Sequence, residues 1–275
     1  LDKRPGFWFY FLLITFIFIV LFPFIWVFLA SIKPPTELYG EYAFRLFADN
    51  PTLENYIAAF TKHPFLRFIW NSFVVASLTT VYSVIIASFA AYAIARLKFR
   101  GKTLFLGILL AVSMFPQIAT ISPIFLFMQA TGLRNTYLGL IIPYTTFAMP
   151  LSIWYLTTFF QKIPLELEEA AKIDGASIWQ TFTKVLIPLV VPGIFTTGII
   201  VFITAWHEFF FALTINTKMS MMTVPVGIAM FQGEFTFPWG EITAATIVVT
   251  IPIVLLVLIF QKRIVSGLTS GAVKE

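Results

Sequence analysis

Hydrophobic residues occupy this sequence in long blocks, not in the alternation of strands or the narrow stripes of surface helices. The first block, residues 7–30 (FWFYFLLITFIFIVLFPFIWVFLA), contains no charge at all. Further blocks lie at 68–95, 104–128, 136–160, 193–215 and 242–261. At about 1.5 Å per residue, each can cross a hydrocarbon core of about 30 Å as a helix. The pattern predicts an all-α polytopic membrane protein with six transmembrane helices. Pro116 and Pro123 fall in the third block, Pro143 and Pro150 in the fourth, and Pro252 in the sixth. Prolines in spans mark bends whose freed carbonyls are satisfied by neighbours or water. The second block is rich in Ala and Ser, which let membrane helices approach closely.

The polar stretches between blocks carry the remaining pattern. Residues 31–67 form a mixed-charge loop, in which Leu53, Tyr56, Ile57 and Phe60 predict a short amphipathic helix. Residues 162–193 (KIPLELEEAAKIDGASIWQTFTKVLIPLVVPG) hold Glu166, Glu168, Glu169, Lys172, Asp174 and Lys184, nearly a fifth of all the charge. Pro164 suits a first helical turn, and the glutamates after it suit the positive end of a helix dipole. Asp174-Gly175 ends that helix. Ser177 with Gln180 then makes a capping-box pattern for a second one. Ile178, Phe182, Val185 and Leu186 give it a single apolar stripe. The stretch reads as a helix-turn-helix at a membrane surface.

Composition agrees with the pattern: 59% of the 275 residues are hydrophobic, 18% aromatic and 11% charged. Soluble domains carry about 25% charge, so a membrane protein is indicated. The net charge of +5 bears on loop orientation before nucleic acid, and no basic run interleaves with aromatics to suggest a nucleic-acid partner. Lys3 and Arg4 resemble a signal-peptide n-region, but the first block exceeds the usual h-region of about 7–15 residues and reads as a retained span. Because the chain begins at Leu1 and not Met, an N-terminal piece is expected to precede it. With the N-terminus in the cytoplasm, 12 basic residues lie inside and 6 outside. The positive-inside rule favours that orientation, with both termini cytoplasmic in a prokaryotic cell membrane. The 162–193 stretch then faces the cytoplasm as well.

Enzyme chemistry finds no footing. Gly101-Lys102-Thr103 ends like a phosphate loop, but Arg96 stands where its first glycine belongs. His207-Glu208 begins like a zinc-protease helix, but Phe211 replaces the second histidine, and His63 is the only other one. There is no cysteine and no Gly-x-Ser-x-Gly elbow. Neither a catalytic residue nor a metal or cofactor site is expected.

The sharpest anomaly is Trp206-His207-Glu208 inside the fifth block. An ionisable group at that depth costs on the order of 3 kcal/mol and usually faces a bundle interior or a water-filled path. Two readings stand: a pathway or gate, or structural glue. Gln117 and Tyr144, with Ser113, Thr120, Ser122 and Thr145 nearby, add polar groups that line a path or mediate helix packing. The segment 216–240, rich in Met, Phe and Gly, reads as a mobile outer contact surface or as an interfacial re-entrant stretch.

Glu169-Ala170-Ala171, then Gly175, then Val185-x-Ile187-Pro188 resembles the EAA loop of ABC importer permeases. Val185 and Ile187 depart mildly from the family's Ile-x-Leu-Pro ending. From about residue 68 onward the chain is similar to the smaller permease subunit of carbohydrate ABC importers of the maltose/trehalose type. The resemblance implies one permease domain over 1–275. Within it, 31–67 is the first extracytoplasmic loop, 68–262 the core, 162–191 the EAA coupling loop and 263–275 a cytoplasmic tail. It implies that Glu169, Ala170, Ala171, Asp174, Gly175 and Pro188 engage a separate ATPase, with Glu169 as the charged anchor. The tail, through Gly267, Thr269 and Gly271, would reach the ATPase dimer, and 216–240 would touch a sugar-binding protein. The implied assembly is this chain, a second permease, two ATPase copies and that binding protein. The cargo would be an α-glucoside such as trehalose or maltose. Another oligosaccharide, a glycerol-phosphate-type substrate, or a secondary carrier without an ATPase are the alternatives.

Overall fold

The computed structural model describes residues 6–233 and 237–269, with side chains as far as Gln261. Among the described residues there are helices and turns and no strand. The helices are α1 Phe7–Ser31, α2 Glu54–Thr61, α3 Phe65–Arg96, α4 Lys102–Ser113, α5 Gln117–Ala130, α6 Tyr137–Lys162, α7 Glu166–Ile173, α8 Ile178–Gln180, α9 Ile187–His207, α10 Phe210–Ile215, α11 Val224–Ala229 and α12 Trp239–Thr269. Five continuous segments are long and apolar enough to cross a membrane: α1, α3, α6, Ile178–His207 and Trp239–Gln261. The sixth candidate is α4 with α5, bent by 92° at the break between them. Pro116 sits at that break with extended ψ of 120°, because a proline donates no N–H and pushes its predecessor out of helical geometry. The expected third span is therefore two half-length helices, not one bent rod.

The fifth span also differs from expectation. The helix begins at Ile178, passes through a π-helical turn at Thr181–Leu186 and ends at His207. In that wide turn the Ile187 N–H reaches back to the Phe182 carbonyl, and the turn ends next to Pro188, which has no N–H to donate. Residues 208–215, expected inside the span, form a break and the short α10.

By internal contacts the chain divides into two compact units. The first comprises the described residues up to Leu66 with Gly227–Pro252. Its α1 is exposed along most of its length, as an apolar helix facing lipid would be. The predicted stripe of α2 is not its buried side: Leu53 and Ile57 are 65% and 62% exposed, while Asn55 and Ala59 are buried. The Asn55 amide donates to the carbonyls of Ser31 at 2.9 Å and Lys33 at 2.7 Å, closing the open end of α1. Hydrogen bonding to orphan carbonyls, and not apolar burial, decides which face of α2 points inward. At the start of α12, Glu241 pairs with Lys62 at 2.5 Å and His63 at 3.0 Å, and the His63 ring stacks on Phe231.

The second unit comprises Arg67–Val226 with the described residues from Ile253. Its core lies along α3, α6 and α9, around Ala87, Ala91, Leu156, Phe160, Leu186 and Val190. Hydroxyls and amides are buried with them, including Asn71, Thr79, Ser83, Ser152 and Thr197, whereas Val81, Ile85 and Leu189 are exposed. In lipid such a distribution is expected, since small and polar residues, not extra apolar area, drive helix association. Gly193 marks the closest approach: a Cβ there would lie 2.5 to 2.9 Å from atoms of the Phe159 ring. Gly193→Val is expected to force α6 and α9 apart at a cost of about 1–3 kcal/mol. Thermal unfolding in detergent would show it as a lowered midpoint.

Of the segment 216–240, residues 234–236 lie outside the described residues, and the stretch just after α10 is hydrogen-bonded to α3 and to the turn before α6. The buried Asn71 amide donates to the carbonyls of Ser220 at 3.0 Å and Met222 at 2.8 Å, and its oxygen accepts from the Tyr137 hydroxyl. Ser72 accepts from the Val224 N–H, and Asn135 accepts from the Lys218 N–H at 2.7 Å. Removing one buried partner leaves the others unsatisfied at about 1–3 kcal/mol each. Asn71→Ala is thus expected to free residues 217–223, and protease cleavage there should rise from undetectable to readily visible.

Candidate functional site

Two places in the second unit concentrate polar groups: the 163–188 loop and the seam between α6 and α9.

In the loop, Leu165 caps α7 and Pro164 lies just outside the helix, not in its first turn as the sequence suggests; Glu166, Glu168 and Glu169 fall in that turn. Gly175 has φ of +78°, the left-handed conformation that ends a helix without strain. The Ala176 N–H returns to the Ala171 carbonyl at 2.9 Å. The capping box forms as its spacing predicts, with Ser177 N–H to Gln180 Oε1 at 2.8 Å and Gln180 N–H to Ser177 Oγ at 3.2 Å. Glu169, Ala170, Asp174, Gly175 and Pro188 are exposed and Ala171 is half-buried. The expected stripe is split: Phe182 and Leu186 are buried, but Ile178 is 70% exposed. Ile173 and Trp179, at 86% and 62%, are likewise exposed apolar residues of the loop. The π turn is the cause, since it rotates the later residues away from the line of Ile178.

Sequence reasoning passed over Glu168. It is buried, unlike Glu169, and its carboxylate lies 2.5 Å from the Arg96 guanidinium, itself buried at the end of α3. The signals were three glutamates within four residues and an isolated cationic stretch, but nothing in the sequence says which acid turns inward.

At the α6/α9 seam, Gln117, Tyr144 and Glu208 come together with Thr79 and Thr204 around a cavity of about 50 Å³. A second cavity of about 70 Å³ continues toward the Lys162 end of α6, lined by Ser152, Tyr155 and Thr197 and sharing Phe147, Ala148, Val201 and Thr204 with the first. Small-molecule sites run from about 300 Å³ upward, so these spaces hold only a few waters. Trp206 and His207 do not line them: Trp206 is buried and stacks on Phe202, and His207 is exposed at the end of α9. Glu208 stops α9 with ψ of 132°. Its carboxylate accepts from the N–H groups of Phe211 at 2.8 Å and Ala212 at 3.2 Å and from the Tyr144 hydroxyl. The acid thus caps α10, ties it to α6 and forms part of the cavity wall. A further space of about 420 Å³ in the same unit is an open apolar groove bordered by Val84, Phe195, Phe202 and Phe260, with no ionisable residue on its walls. Among the described residues no cluster of three or more potential ligands could hold a metal. Gly267 and Thr269 lie in the last turns of α12, and Gly271 is outside the described residues.

Comparison with known proteins follows the same lines. Residues 83–270 match the family of binding-protein-dependent transport system inner membrane components. The trehalose transport system permease protein SugB of Mycobacterium tuberculosis is 46% identical over 256 residues, covering 92% of each chain. The trehalose/maltose transport system permease protein MalG of Thermococcus litoralis is 45% identical, covering 93% of this chain and 92% of that one. The sulfoquinovosyl glycerol transport system permease protein SmoH of Agrobacterium fabrum is 44% identical, covering 92% and 89%. In fold, the chain is similar to one in the crystal structure of a bacterial ABC transporter involved in the import of the acidic polysaccharide alginate. The TM-score is 0.79 at 23% identity, covering 91% of this chain and 93% of that one. With a family match across most of its length and relatives this similar end to end, the chain belongs to the inner membrane components of binding-protein-dependent transport systems, as a multi-pass permease subunit.

Proposed function

We propose that this chain is one of two permease subunits of an ATP-driven sugar importer, with trehalose or maltose as cargo. One observation carries the reading. A single compact unit presents an exposed, partly apolar helix-turn-helix between two spans and encloses a polar seam between those same two spans, α6 and α9. A lone carrier has no use for the first, and a structural subunit has none for the second. Glu169, Ala170, Ala171, Asp174, Gly175 and Pro188 form the surface for a separate ATPase, and Ile173, Ile178 and Trp179 add apolar area to it. The cytoplasmic side follows from charge: no acid occurs between Glu54 and Glu166, and Lys98, Arg100, Lys102 and Lys162 stand at the same ends of their helices as the loop. The tail with Gly267, Thr269 and Gly271 extends toward the ATPases, and the clamped segment 216–224 faces the sugar-binding protein.

Gln117, Tyr144 and Glu208 line this chain's half of the path, closed here to the width of water, and Trp206 and His207 stand outside it. ATP closure of two ATPases moves the docked loops, and the spans open the seam toward the outside. Transport is then a difference in affinity between two states. The names of the relatives support a sugar, and sulfoquinovosyl glycerol is the competing cargo.

The test is purification of this chain from its native membrane in mild detergent, identification of its companions by mass spectrometry, and uptake by the reconstituted complex of labelled trehalose, maltose and sulfoquinovosyl glycerol. An ATPase and a second permease, with uptake of trehalose or maltose, are expected. A chain that elutes alone would overturn the importer assembly, and uptake of only the sulfonated substrate would overturn the cargo.

A further inference from the structure

Arg96 is the last residue of α3, and its guanidinium is held at two points. Nη2 donates to the Ile163 carbonyl, just beyond α6, at 2.6 Å. Nε lies 2.5 Å from Glu168 Oε1 on α7, a close charge contact and not an aligned hydrogen bond. The two side chains are 7% and 8% exposed. One and two turns back on the same face, Tyr92 and Phe89 pack on Phe182 with ring centres 5.2 Å apart in each case, and Phe89 stacks on Trp179 at 6.1 Å. One face of α3 therefore engages both helices of the coupling loop, α7 by charge and the second helix by aromatic contact.

The same helix reaches the polar seam. Thr79, 17 residues before Arg96 and about 26 Å along the axis, stands in the wall of the cavity that holds Glu208. An apolar pair at 96 and 168 would serve stability as well as the ion pair does, because desolvation largely offsets the attraction of buried charges. What the guanidinium adds is a planar fork that grips two groups at fixed angles and ties α3, the end of α6 and α7 at one point.

We propose that the Arg96–Glu168 pair is the link through which movement of the coupling loop is carried along α3 to the cavity wall. Arg96 is a positioning residue for transport, acting through Glu168 and the rigid helix behind it. The proposal rests on the importer reading, and it assigns the intrachain charge contact to Glu168, not to Glu169.

The chain has no cysteine, so a single Thr79→Cys gives a specific reporter of the cavity. In the complete reconstituted transporter, its reaction with a small methanethiosulfonate reagent is followed by mass on this chain, with and without ATP and vanadate. ATP with vanadate is expected to change the labelling rate by about 5-fold or more, within the usual span of coupling between sites. In the Arg96→Met/Glu168→Leu background, which keeps the site filled, assembly with the ATPase should be unchanged and the ATP response lost. Glu168→Gln, which keeps shape and a weaker hydrogen bond, should retain part of it. A full ATP response in the apolar background would overturn the proposal and leave the pair as packing. So would a parent that transports sugar with no ATP response at Thr79, or failure of both variants to assemble, which would place the pair in folding. If no ATPase accompanies the unsubstituted chain, the importer reading itself fails, a different and separable result.

Discussion

Glu169→Lys is expected to abolish sugar uptake while leaving the chain folded in the membrane. Glu169 sits on the first turn of α7 with its side chain exposed, and among the described residues it takes no part in an ion pair. Reversing its charge removes nothing the fold uses beyond a small favourable term with the helix dipole, about 0.3–1 kcal/mol. At a docking surface the same change meets the partner's complementary charge with repulsion. Losing one member of a desolvated interface pair costs about 2–5 kcal/mol, which corresponds to a fall in association of about 30-fold to several thousand-fold. The check combines three measurements on one preparation: the amount of chain in the membrane, the ATPase that co-purifies, and uptake. Unchanged membrane content with the ATPase and uptake both lost is the expected result. Normal uptake would remove Glu169 from the docking surface. The contrast with Glu168 is informative, since Glu168→Lys would bury a cation against Arg96 and should reduce the folded chain itself.

Glu208→Ala is expected to lower uptake by about 100-fold without separating the subunits. The substitution leaves three donors, the Phe211 and Ala212 amides and the Tyr144 hydroxyl, without their shared acceptor. Each costs about 1–3 kcal/mol if it stays buried and unpaired, and part of that is relieved where water in the adjoining cavity replaces the carboxylate. The remainder loosens α10 and the end of α9. Tyr144→Phe removes one donor and leaves the cap on α10 in place, so its effect should be smaller, about 10-fold or less on uptake. Kinetics of uptake together with thermal unfolding of the complex distinguish the two roles of the acid. Unchanged kinetics in Glu208→Ala with a lowered unfolding midpoint would reduce Glu208 to a structural cap. Altered kinetics at an unchanged midpoint would make the cavity wall its principal role.

In the structure Glu208 caps the short α10 and also stands in the wall of the adjoining cavity, because a carboxylate that caps a helix faces the space where that helix begins. A charged residue after an apolar run is visible in any sequence. That its partners would be the amides three and four residues ahead, along with Tyr144 on another span, is not. Gln117, Tyr144 and Glu208 meet only because α5, α6 and the α9–α10 break converge, whereas Trp206 and His207, adjacent in sequence, point elsewhere. Sequence adjacency in a helix spreads neighbours about 100° apart around the axis, so three consecutive residues rarely share one cavity.

The sequence by itself determined the helical class, the number and rough places of the apolar segments, the caps at Gly175 and Ser177, and the family through the Glu169 to Pro188 spacing. These features are local: long apolar runs, a glycine where φ must be positive, and a hydroxyl three residues from an amide. Tertiary structure decided what depends on which groups must be satisfied across distance. It put Asn55 and Ala59, not the apolar stripe of α2, on the inside, because the carbonyls ending α1 needed a donor. It turned Glu168 inward and left Glu169 outside, because one buried guanidinium at the end of α3 can take only the acid on its own side of α7. It broke the third span at Pro116 by 92° and extended the fifth back to Ile178. A sequence shows which backbone groups are freed by a proline or a wide turn, but only the folded neighbours show where they find their partners.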